Sequence, residues 1–335
     1  MNMNRFTIKD VAAKSGTSIR TVSRVLNSDP HVKKETRDRV QAVIDELGFK
    51  VNIAARSLRD RKSNQIVVFA DRRKNAFLGG FHNEVVLELH REAKTQGYRM
   101  VVSVSSPEQF EEDENDGFYL VQHGLCDAAI LFDPHEGDRR VQYLREHRVP
   151  FVVLGQDKSS YQTSYVGLDN RAAGYMGAKY LHEKGHAAFA LILGSEASGV
   201  NQDRAEGFRR YQREKGLDNQ VLFGLTNIES AYKKTQSLLE AKSVTAIFVS
   251  GDERVVGVYR AIQEAGLQVG RDIGVLGVDD LEMGRFLLPA LTSLVQPKQE
   301  MSKLALELIM EQLQEEERVV KRVLFVPTIA ERESV

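Results

Sequence analysis

Arg20, Arg24 and Asn27 have side chains of types that can hydrogen-bond to nucleic-acid bases. Their spacing places them along one face of a predicted short helix. An arginine guanidinium can bond O6 and N7 of one guanine together, which discriminates between bases by about 1–3 kcal/mol. Val22 and Val25 fall on the opposite face of the same segment. The pattern therefore predicts an amphipathic helix whose cationic face could lie in the major groove of DNA.

The elements that must position this face form a helix–turn–helix pattern. The first predicted helix has an apolar face, with Thr7 as its N-cap, Asp10 as the capping-box partner and Gly16 as its C-terminal residue. A third predicted helix ends at Gly48, and the apolar faces of the three helices could close one small core. The stripe residues are Ile8, Val11, Ala12 and Ser15, then Val22, Val25 and Leu26, then Val40, Val43, Ile44 and Leu47.

Charge is divided unevenly along the chain. Residues 1–62 contain 14 Lys and Arg against 7 Asp and Glu, whereas the remainder contains 32 against 40. A basic amino-terminal segment on an acidic body indicates binding to phosphate groups, since phosphate neutralisation drives non-specific affinity for DNA. A solvated basic bundle that binds a protein is the alternative, and the helix–turn–helix pattern disfavours it.

Residues 7–58 resemble the headpiece of the LacI/GalR (lactose-repressor/galactose-repressor) family of bacterial transcription regulators. The resemblance continues at lower density to the end of the chain and so covers essentially all of it. The matching headpiece words are Thr7–Ala12, Thr21–Asn27, Thr36-Arg37 with Val40, Glu46–Phe49, and Asn52 with Ala55–Leu58. The matching body words are Val166–Asn170, Glu183–His186, Gly277–Asp280, Leu291–Pro297 and Pro327-Thr328.

The resemblance implies a small all-α helix-turn-helix headpiece joined to an α/β periplasmic-binding-protein-like body of two Rossmann-like subdomains with parallel sheets. We expect the headpiece at 1–49, a hinge helix and linker at 50–62, and the effector-binding and dimerisation body at 63–335. The N-subdomain is expected at about 63–165 and 296–326, and the C-subdomain at about 166–295 and 327–335.

By the same resemblance, Ile19, Arg20 and Arg24 contact base edges. A phosphate contact is nearly as well supported for Arg20, and Ile19 could either join the core or meet a thymine methyl. The expected backbone contacts, each also readable as a cap or surface polar group, are Thr7, Ser18, Thr21, Ser23, Asn27 and His31.

Residues 51–58 form the expected second DNA element, a helix too short to be stable alone. The resemblance places Asn52, Ala55, Arg56 and Leu58 in the minor groove, where Leu58 would wedge into a base step and bend the duplex. An ordinary linker helix whose leucine touches the body is the alternative. Val51 stands where the family usually has proline, which leaves the helix start less fixed.

The body alternates apolar β-like runs with amphipathic helices, a spacing typical of parallel α/β sheets. About 270 residues exceed one doubly wound unit, so two subdomains with a cleft are expected. The predicted strands are Ile66–Ala70, Met100–Val104, Ala128–Phe132, Phe151–Leu154, Phe189–Leu193, Ala246–Val249 and Ile273–Val278. The predicted helices include Phe81–Gln96, Arg171–Lys184, Asp203–Lys215 and Val255–Ala265.

A ligand of such a body binds at the carboxyl ends of strands, where an Arg fork and a carboxylate suit vicinal hydroxyls. Gly251-Asp252 stands where the family commonly has Asn-Asp, so one side-chain donor is lost and the effector or its contacts should differ. Taken alone, Arg204 reads as a surface ion pair, Asp279 as a helix cap and Phe77 as core. The resemblance implies that Arg204 and Asp279 contact the effector and that Phe77 covers it. The expected effector-binding residues, for a sugar or sugar derivative, are Asp71, Phe77, Gln156, Arg204, Asp252 and Asp279.

Two other classes of protein share the body's fold. A dehydrogenase is disfavoured because no G-x-G-x-x-G follows the first strand. A transported-sugar receptor would need a secretory signal, which the amino terminus does not resemble, so a cytoplasmic location is expected. No metal or cofactor is expected, because His123, His182 and His186 lack zinc-site spacing and Cys126 is the single cysteine.

The expected protein is a homodimeric repressor on a pseudo-palindromic double-stranded operator, because two-fold symmetry in the protein requires it in the DNA. A small-molecule effector would change the angle between subdomains and so melt or permit the hinge helix. The chain ends without a leucine heptad, which favours a dimer over a tail-held tetramer.

Overall fold

A computed structural model describes residues 6–50, 62–71, 79–135, 137–158, 160–314 and 319–335. The chain divides into two compact units, Met1–Ser63 and Asn64–Val335, which we name the headpiece and the body. Among the described residues, no helix has both the length and the apolar character that a bilayer crossing requires.

Short helices build the headpiece. They are α1 (Ile8–Ser15), α2 (Ile19–Leu26) and α3 (Lys34–Leu47). The Asp10 carboxylate accepts the Thr7 backbone N–H at 2.6 Å and the Thr7 hydroxyl at 2.7 Å, and Gly16 ends α1 with φ 63°. The predicted stripes meet in one core, whose buried members are Val11, Ala12, Val22, Val25, Val32, Val40, Val43 and Ile44.

The described strands of the body form two six-stranded sheets. The first sheet, with its helices, is the first lobe. Its order is β11-β5-β4-β3-β1-β2, and every pair within it is parallel. Its strands are β1 (Gln65–Asp71), β2 (Arg99–Ser105), β3 (Ala128–Phe132), β4 (Phe151–Leu154), β5 (Tyr165–Leu168) and β11 (Arg322–Phe325). Its helices are α4 (Gly80–Thr95), α5 (Tyr119–Gln122), α6 (Arg139–Glu146) and α11 (Lys298–Gln314).

The second sheet, with its helices, is the second lobe. Its order is β12-β10-β9-β8-β6-β7, and β12 is the strand that runs antiparallel to its neighbour β10. Its strands are β6 (Phe189–Ile192), β7 (Gln220–Leu222), β8 (Ala246–Val249), β9 (Gly274–Asp279), β10 (Thr292–Val295) and β12 (Thr328–Ala330). Its helices are α7 (Asn170–Glu183), α8 (Gly199–Lys215), α9 (Ile228–Glu240) and α10 (Val255–Glu264), with 3-10 turns at Asp252–Arg254 and Glu282–Phe286.

Burial on both faces explains why the strands were readable from sequence. All residues of β3, β4, β6, β8 and β9 are buried, so each is a short continuous apolar run. The parallel sheets and the two-part α/β fold are thus as predicted. Five described strands were not in the predicted set, and none of them is buried along its whole length, so none is a continuous apolar run. They are β5, β7, β10, β11 and the antiparallel β12.

Three details refine the sequence reading. Strand Tyr165–Leu168 belongs wholly to the first sheet, so the first crossing between the lobes follows Leu168, close to the expected position at about residue 165. Helix α8 begins at Gly199, four residues before the predicted start at Asp203. Ser198 is its N-cap, and the added residues form one more helical turn ahead of Asp203. Arg204 consequently lies in the second turn of α8 and does not open it.

Candidate DNA-reading and effector-binding sites

The surface of α2 separates into the two predicted faces. Val22 is 0% exposed and Val25 is 7% exposed, whereas Arg20 and Arg24 are exposed. Ile19 was ambiguous in sequence, and the structure places it outside the core with 46% of its surface exposed. An exposed branched apolar side chain beside two arginines can offer its methyl groups to a thymine methyl.

Arg24 is oriented by an ion pair within the headpiece. Its Nε donates to Oδ2 of Asp29 at 2.7 Å, and Asp29 also accepts the backbone N–H of His31 at 2.9 Å. The hydrogen bond raises the pKa of Arg24 and lowers the pKa of Asp29. Arg24 is therefore a fixed cation whose side chain stays 44% exposed on the polar face of α2.

The six predicted backbone-contact residues surround α1 and α2. Ser18 caps α2 by accepting the Thr21 backbone N–H at 3.0 Å, and Asn27 is its C-cap. Four of the set are exposed and two are half-buried, so all of them reach the surface of the headpiece. The exposed residues are Thr7, Ser18, Asn27 and His31, and the half-buried residues are Thr21 and Ser23.

Several predicted positions lie outside the described residues. They include the whole hinge set, together with Phe77 of the effector set. Asp71 is the last residue of β1, at the carboxyl edge of the first sheet, and its side chain also lies outside what the structure describes. The positions concerned are Asn52, Ala55, Arg56, Leu58, Phe77 and the Asp71 side chain.

Arg204 is a buried guanidinium held by two polar partners of the second lobe. Its Nη1 donates to the Ser250 hydroxyl and its Nη2 donates to the Asn170 side-chain oxygen, both at 2.6 Å. Its Nε is buried without a partner in the described part of the chain. Burial lowers the pKa of Arg204, and the carboxylates of Asp279 and Asp133 oppose that effect.

Asp279 is the second centre of the site. It ends β9 with φ 114°, a backbone conformation that residues other than glycine adopt only under strain, as functional sites often require. Its Oδ1 accepts the side-chain N–H of Gln296 at 2.5 Å, and its backbone oxygen accepts Lys298. Burial raises the pKa of Asp279 to about 6 against the opposing effect of Arg204.

Asp252 is the most enclosed of the predicted effector residues, with 0% exposure. The Ser293 hydroxyl lies 2.8 and 3.0 Å from its two oxygens, and the Leu281 backbone N–H donates to Oδ2 at 2.9 Å. Burial raises its pKa well above the ordinary value, and the nearby charge of Asp279 raises it further. Its hydrogen bonds hold together the segments that carry the site.

Gln156 follows β4 in the first lobe and is half-buried. A direct link joins the two lobes nearby, because Oε2 of Glu253 accepts the backbone N–H of Gly80 at 2.6 Å. Asp133, which follows β3, acts electrostatically on Arg204 of the second lobe. The predicted effector cleft would lie between these polar groups, which stand near the carboxyl ends of strands in both sheets.

The sequence reading missed five residues of this cleft. Asn170 and Gln296 stand inside words that carried the family resemblance, so those words contained the signal. No such signal marked the other three residues, Ser250, Arg254 and Lys298. Their contacts depend on the positions that the chain takes after the ends of β8 and β10, which the sequence does not show.

Comparison with known proteins is consistent with this architecture. Residues 7–52 match the family of bacterial regulatory proteins named lacI, and residues 178–335 match the periplasmic binding protein-like domain. The chain is 29% identical to the transcriptional repressor PurR of Erwinia tasmaniensis, over 98% of this chain and 96% of that protein. It is 28% identical to the ribose operon repressor of Haemophilus influenzae, over 98% of each.

Solved structures share the fold along nearly the whole chain. The lac repressor dimer bound to operator and the anti-inducer ONPF has a TM-score of 0.87 at 24% identity, over 99% of each chain. The complex of the transcriptional regulator CelR with cellobiose has a TM-score of 0.72 at 26% identity, over 99% of this chain and 100% of that one. The chain therefore combines a DNA-binding domain of the lacI type with a periplasmic-binding-protein-like domain, and its relatives along nearly the whole chain are transcriptional repressors.

Proposed function

We propose that this protein is a homodimeric repressor that binds a pseudo-palindromic operator and whose DNA affinity is set by a sugar or sugar derivative in the cleft. The observation that carries the effector proposal is Arg204, a buried guanidinium of the second lobe on which the carboxylates of Asp279 and of Asp133, from the first lobe, both act. These charges stand at the carboxyl ends of strands, where ligands of parallel α/β folds bind.

The DNA half of the proposal rests on the exposed face of α2. Arg24, held by Asp29, is placed to bond a guanine, and Arg20 lies four residues before it. Ile19 extends this face with an apolar contact. We assign the six surrounding polar residues, from Thr7 to His31, to the phosphate backbone, where they would fix the register of the headpiece without reading sequence.

A polyhydroxyl ligand suits the chemistry of the cleft. A guanidinium donates and a carboxylate accepts, so Arg204 and Asp279 together can bind neighbouring hydroxyl groups. Gln156 adds a half-buried amide from the first lobe. One related regulator is complexed with cellobiose and another controls a ribose operon, which agrees with a carbohydrate.

The dimer proposal rests on an apolar surface of the first lobe. Strand β2 is at the end of its sheet, and Val102 and Val104 on it are 44% and 51% exposed. Leu87 on α4 adds a side chain that is 57% exposed. Such patches mark contact surfaces, and the related lac repressor crystallised as a dimer on operator.

We assign residues 1–49 to DNA reading, 50–62 to the hinge and 63–335 to effector binding and dimerisation. A ligand can shift the lobes only by binding one arrangement more tightly than the other. The short hinge helix would then form or melt as the lobes of the two subunits move.

Isothermal titration of the intact protein with neutral sugars, sugar derivatives, nucleobases and nucleosides tests the effector class. Binding of a sugar or derivative is expected, with affinity reduced at least about tenfold by Arg204→Lys, which cannot reproduce the fork of hydrogen bonds. The matched control is Arg210→Lys on the same helix, where Arg210 makes a surface pair with Glu214. Binding of a nucleobase or nucleoside alone would overturn the sugar proposal.

A further inference from the structure

Asp29 lies in the turn between α2 and α3, and both helices hold its backbone in place. Its N–H donates to the Arg24 backbone oxygen at 3.0 Å, and its own backbone oxygen accepts Nη2 of Arg37, on α3, at 2.8 Å. Its Oδ1 accepts the backbone N–H of His31 at 2.9 Å, which closes a turn of the kind that Asp side chains form. The position of the carboxylate is therefore set by the headpiece itself, although the side chain is 27% exposed.

The second carboxylate oxygen of Asp29 holds one part of the Arg24 guanidinium. Oδ2 accepts Nε at 2.7 Å. In the part of the chain that the structure describes, nothing accepts a hydrogen bond from Nη1 or Nη2 of Arg24. These two terminal nitrogens form the fork that can bond O6 and N7 of one guanine. The ion pair thus occupies Nε and leaves this fork available.

Arg20 offers a comparison on the same helix. It is exposed like Arg24, but its side chain has no ion-pair or hydrogen-bond partner among the described residues. An arginine side chain without a partner loses more rotational entropy when it binds than one already held in place. Of the two arginines on this face, Arg24 is therefore the better suited to recognise a single base.

We propose that Asp29 determines the sequence specificity of the headpiece by holding Arg24 in the orientation that selects a guanine. Asp29 is a positioning residue, because it acts through Arg24 and needs no contact of its own with the DNA. This proposal rests on the DNA-reading role of α2 argued above and deepens it. The negative charge of Asp29 also repels phosphate groups, so the same residue favours the operator and lowers affinity for DNA of any other sequence.

Asp29→Asn tests the proposal in the full-length protein. Its side-chain oxygen can still accept the His31 N–H, but its amide nitrogen then faces Arg24 and cannot accept from Nε. We expect about tenfold weaker binding to an operator that the wild type selects from random-sequence DNA. Binding to unselected random DNA should be unchanged or tighter, because one negative charge is lost. Fluorescence anisotropy at fixed ionic strength measures both affinities, and their ratio is the selectivity.

Glu46→Gln is the matched control. It removes one negative charge from a surface ion pair on α3, where Glu46 lies 2.7 Å from Lys14, and it should leave the selectivity unchanged. Asp29→Ser keeps a hydroxyl for the His31 N–H and should lose selectivity as Asp29→Asn does. Combined with Arg24→Ala, Asp29→Asn should cause no further loss of selectivity, because no guanidinium is left to hold. Retained binding to random DNA shows in each case that the headpiece is folded.

The outcomes separate this proposal from the one on which it rests. Unchanged selectivity of Asp29→Asn, or an equal loss on both DNAs, would overturn the role of Asp29. If Arg24→Ala still relaxes one base position in that case, base reading by Arg24 stands. An equal loss on both DNAs from Arg24→Ala would place Arg24 on the phosphate backbone and overturn both proposals.

Discussion

The side chains of Asp252 and Ser293 bond each other inside the second lobe, with the hydroxyl 2.8 and 3.0 Å from the two carboxyl oxygens and both residues 0% exposed. Ser293 belongs to β10, and Asp252 begins the turn after β8. The Leu281 N–H donates to the same carboxyl at 2.9 Å. One carboxyl group therefore links three segments of the second lobe.

Removal of this carboxyl should destabilise the body. Asp252→Ala leaves the Leu281 N–H and the Ser293 hydroxyl without their acceptor, and we expect a loss of about 2–4 kcal/mol in the free energy of unfolding. Asp252→Asn keeps an acceptor oxygen and carries no charge, which suits a site where burial raises the pKa. The free energy of unfolding of Asp252→Asn should stay within about 1 kcal/mol of the wild-type value. Urea unfolding at pH 7 measures both, and equal stability of the two variants would contradict this role.

Asp279 should make stability depend on pH. Burial raises its pKa from 3.8 to about 6, so between these values the folded protein holds a proton that the unfolded chain has released. The stability that this group contributes is present below about pH 4 and is lost as the pH rises through about 6. Asp279→Asn should therefore gain stability relative to wild type from pH 4 to 7, by at most about 3 kcal/mol, since each pKa unit corresponds to about 1.4 kcal/mol. Unfolding curves across this range measure the difference, and a difference independent of pH would refute the assignment.

Arg24→Ala should weaken binding to a selected operator by about 1–3 kcal/mol and relax preference at one base position. Binding to random DNA should change far less. Arg39→Ala, on the exposed surface of α3, is the matched control, because it removes the same charge away from α2. Gel-shift titration on both DNAs distinguishes the two roles, and an equal loss on random DNA would place Arg24 on the phosphate backbone.

Cys126 should be inert in the folded protein. It is 5% exposed, and burial raises the pKa of its thiol to about 12, so almost no thiolate exists at neutral pH. A thiol-reactive chromogenic disulfide at pH 8 should label the protein in urea and leave it unlabelled in buffer. Rapid labelling of the native protein would show that this part of the first lobe opens readily.

Sequence periodicity predicted the headpiece well, because its core needs only the helical spacing of residues such as Val22 and Val25. It left Ile19 undecided, since a residue at the first position of a helix can face either way. Seven of the twelve described body strands were predicted to within one residue, most of them because burial on both faces makes them continuously apolar, whereas five shorter or partly exposed strands were not predicted. Arg204 and Asp279 were expected from the family resemblance, and the Asp279 carboxylate acts electrostatically on Arg204.

Arg254 could not have been predicted in the same way. Its position depends on the space beside Gly251 and on the Ser250 backbone oxygen, and neither is a pattern along the chain. The roles of Asp252 and Ser293 are likewise invisible in sequence, because the two residues are 41 positions apart.

The polypeptide passes from one sheet to the other after Leu168, after Val295 and after Phe325. Three chain segments therefore join the lobes. Cleavage of the backbone at any one of these crossings would leave the lobes covalently linked through the other two.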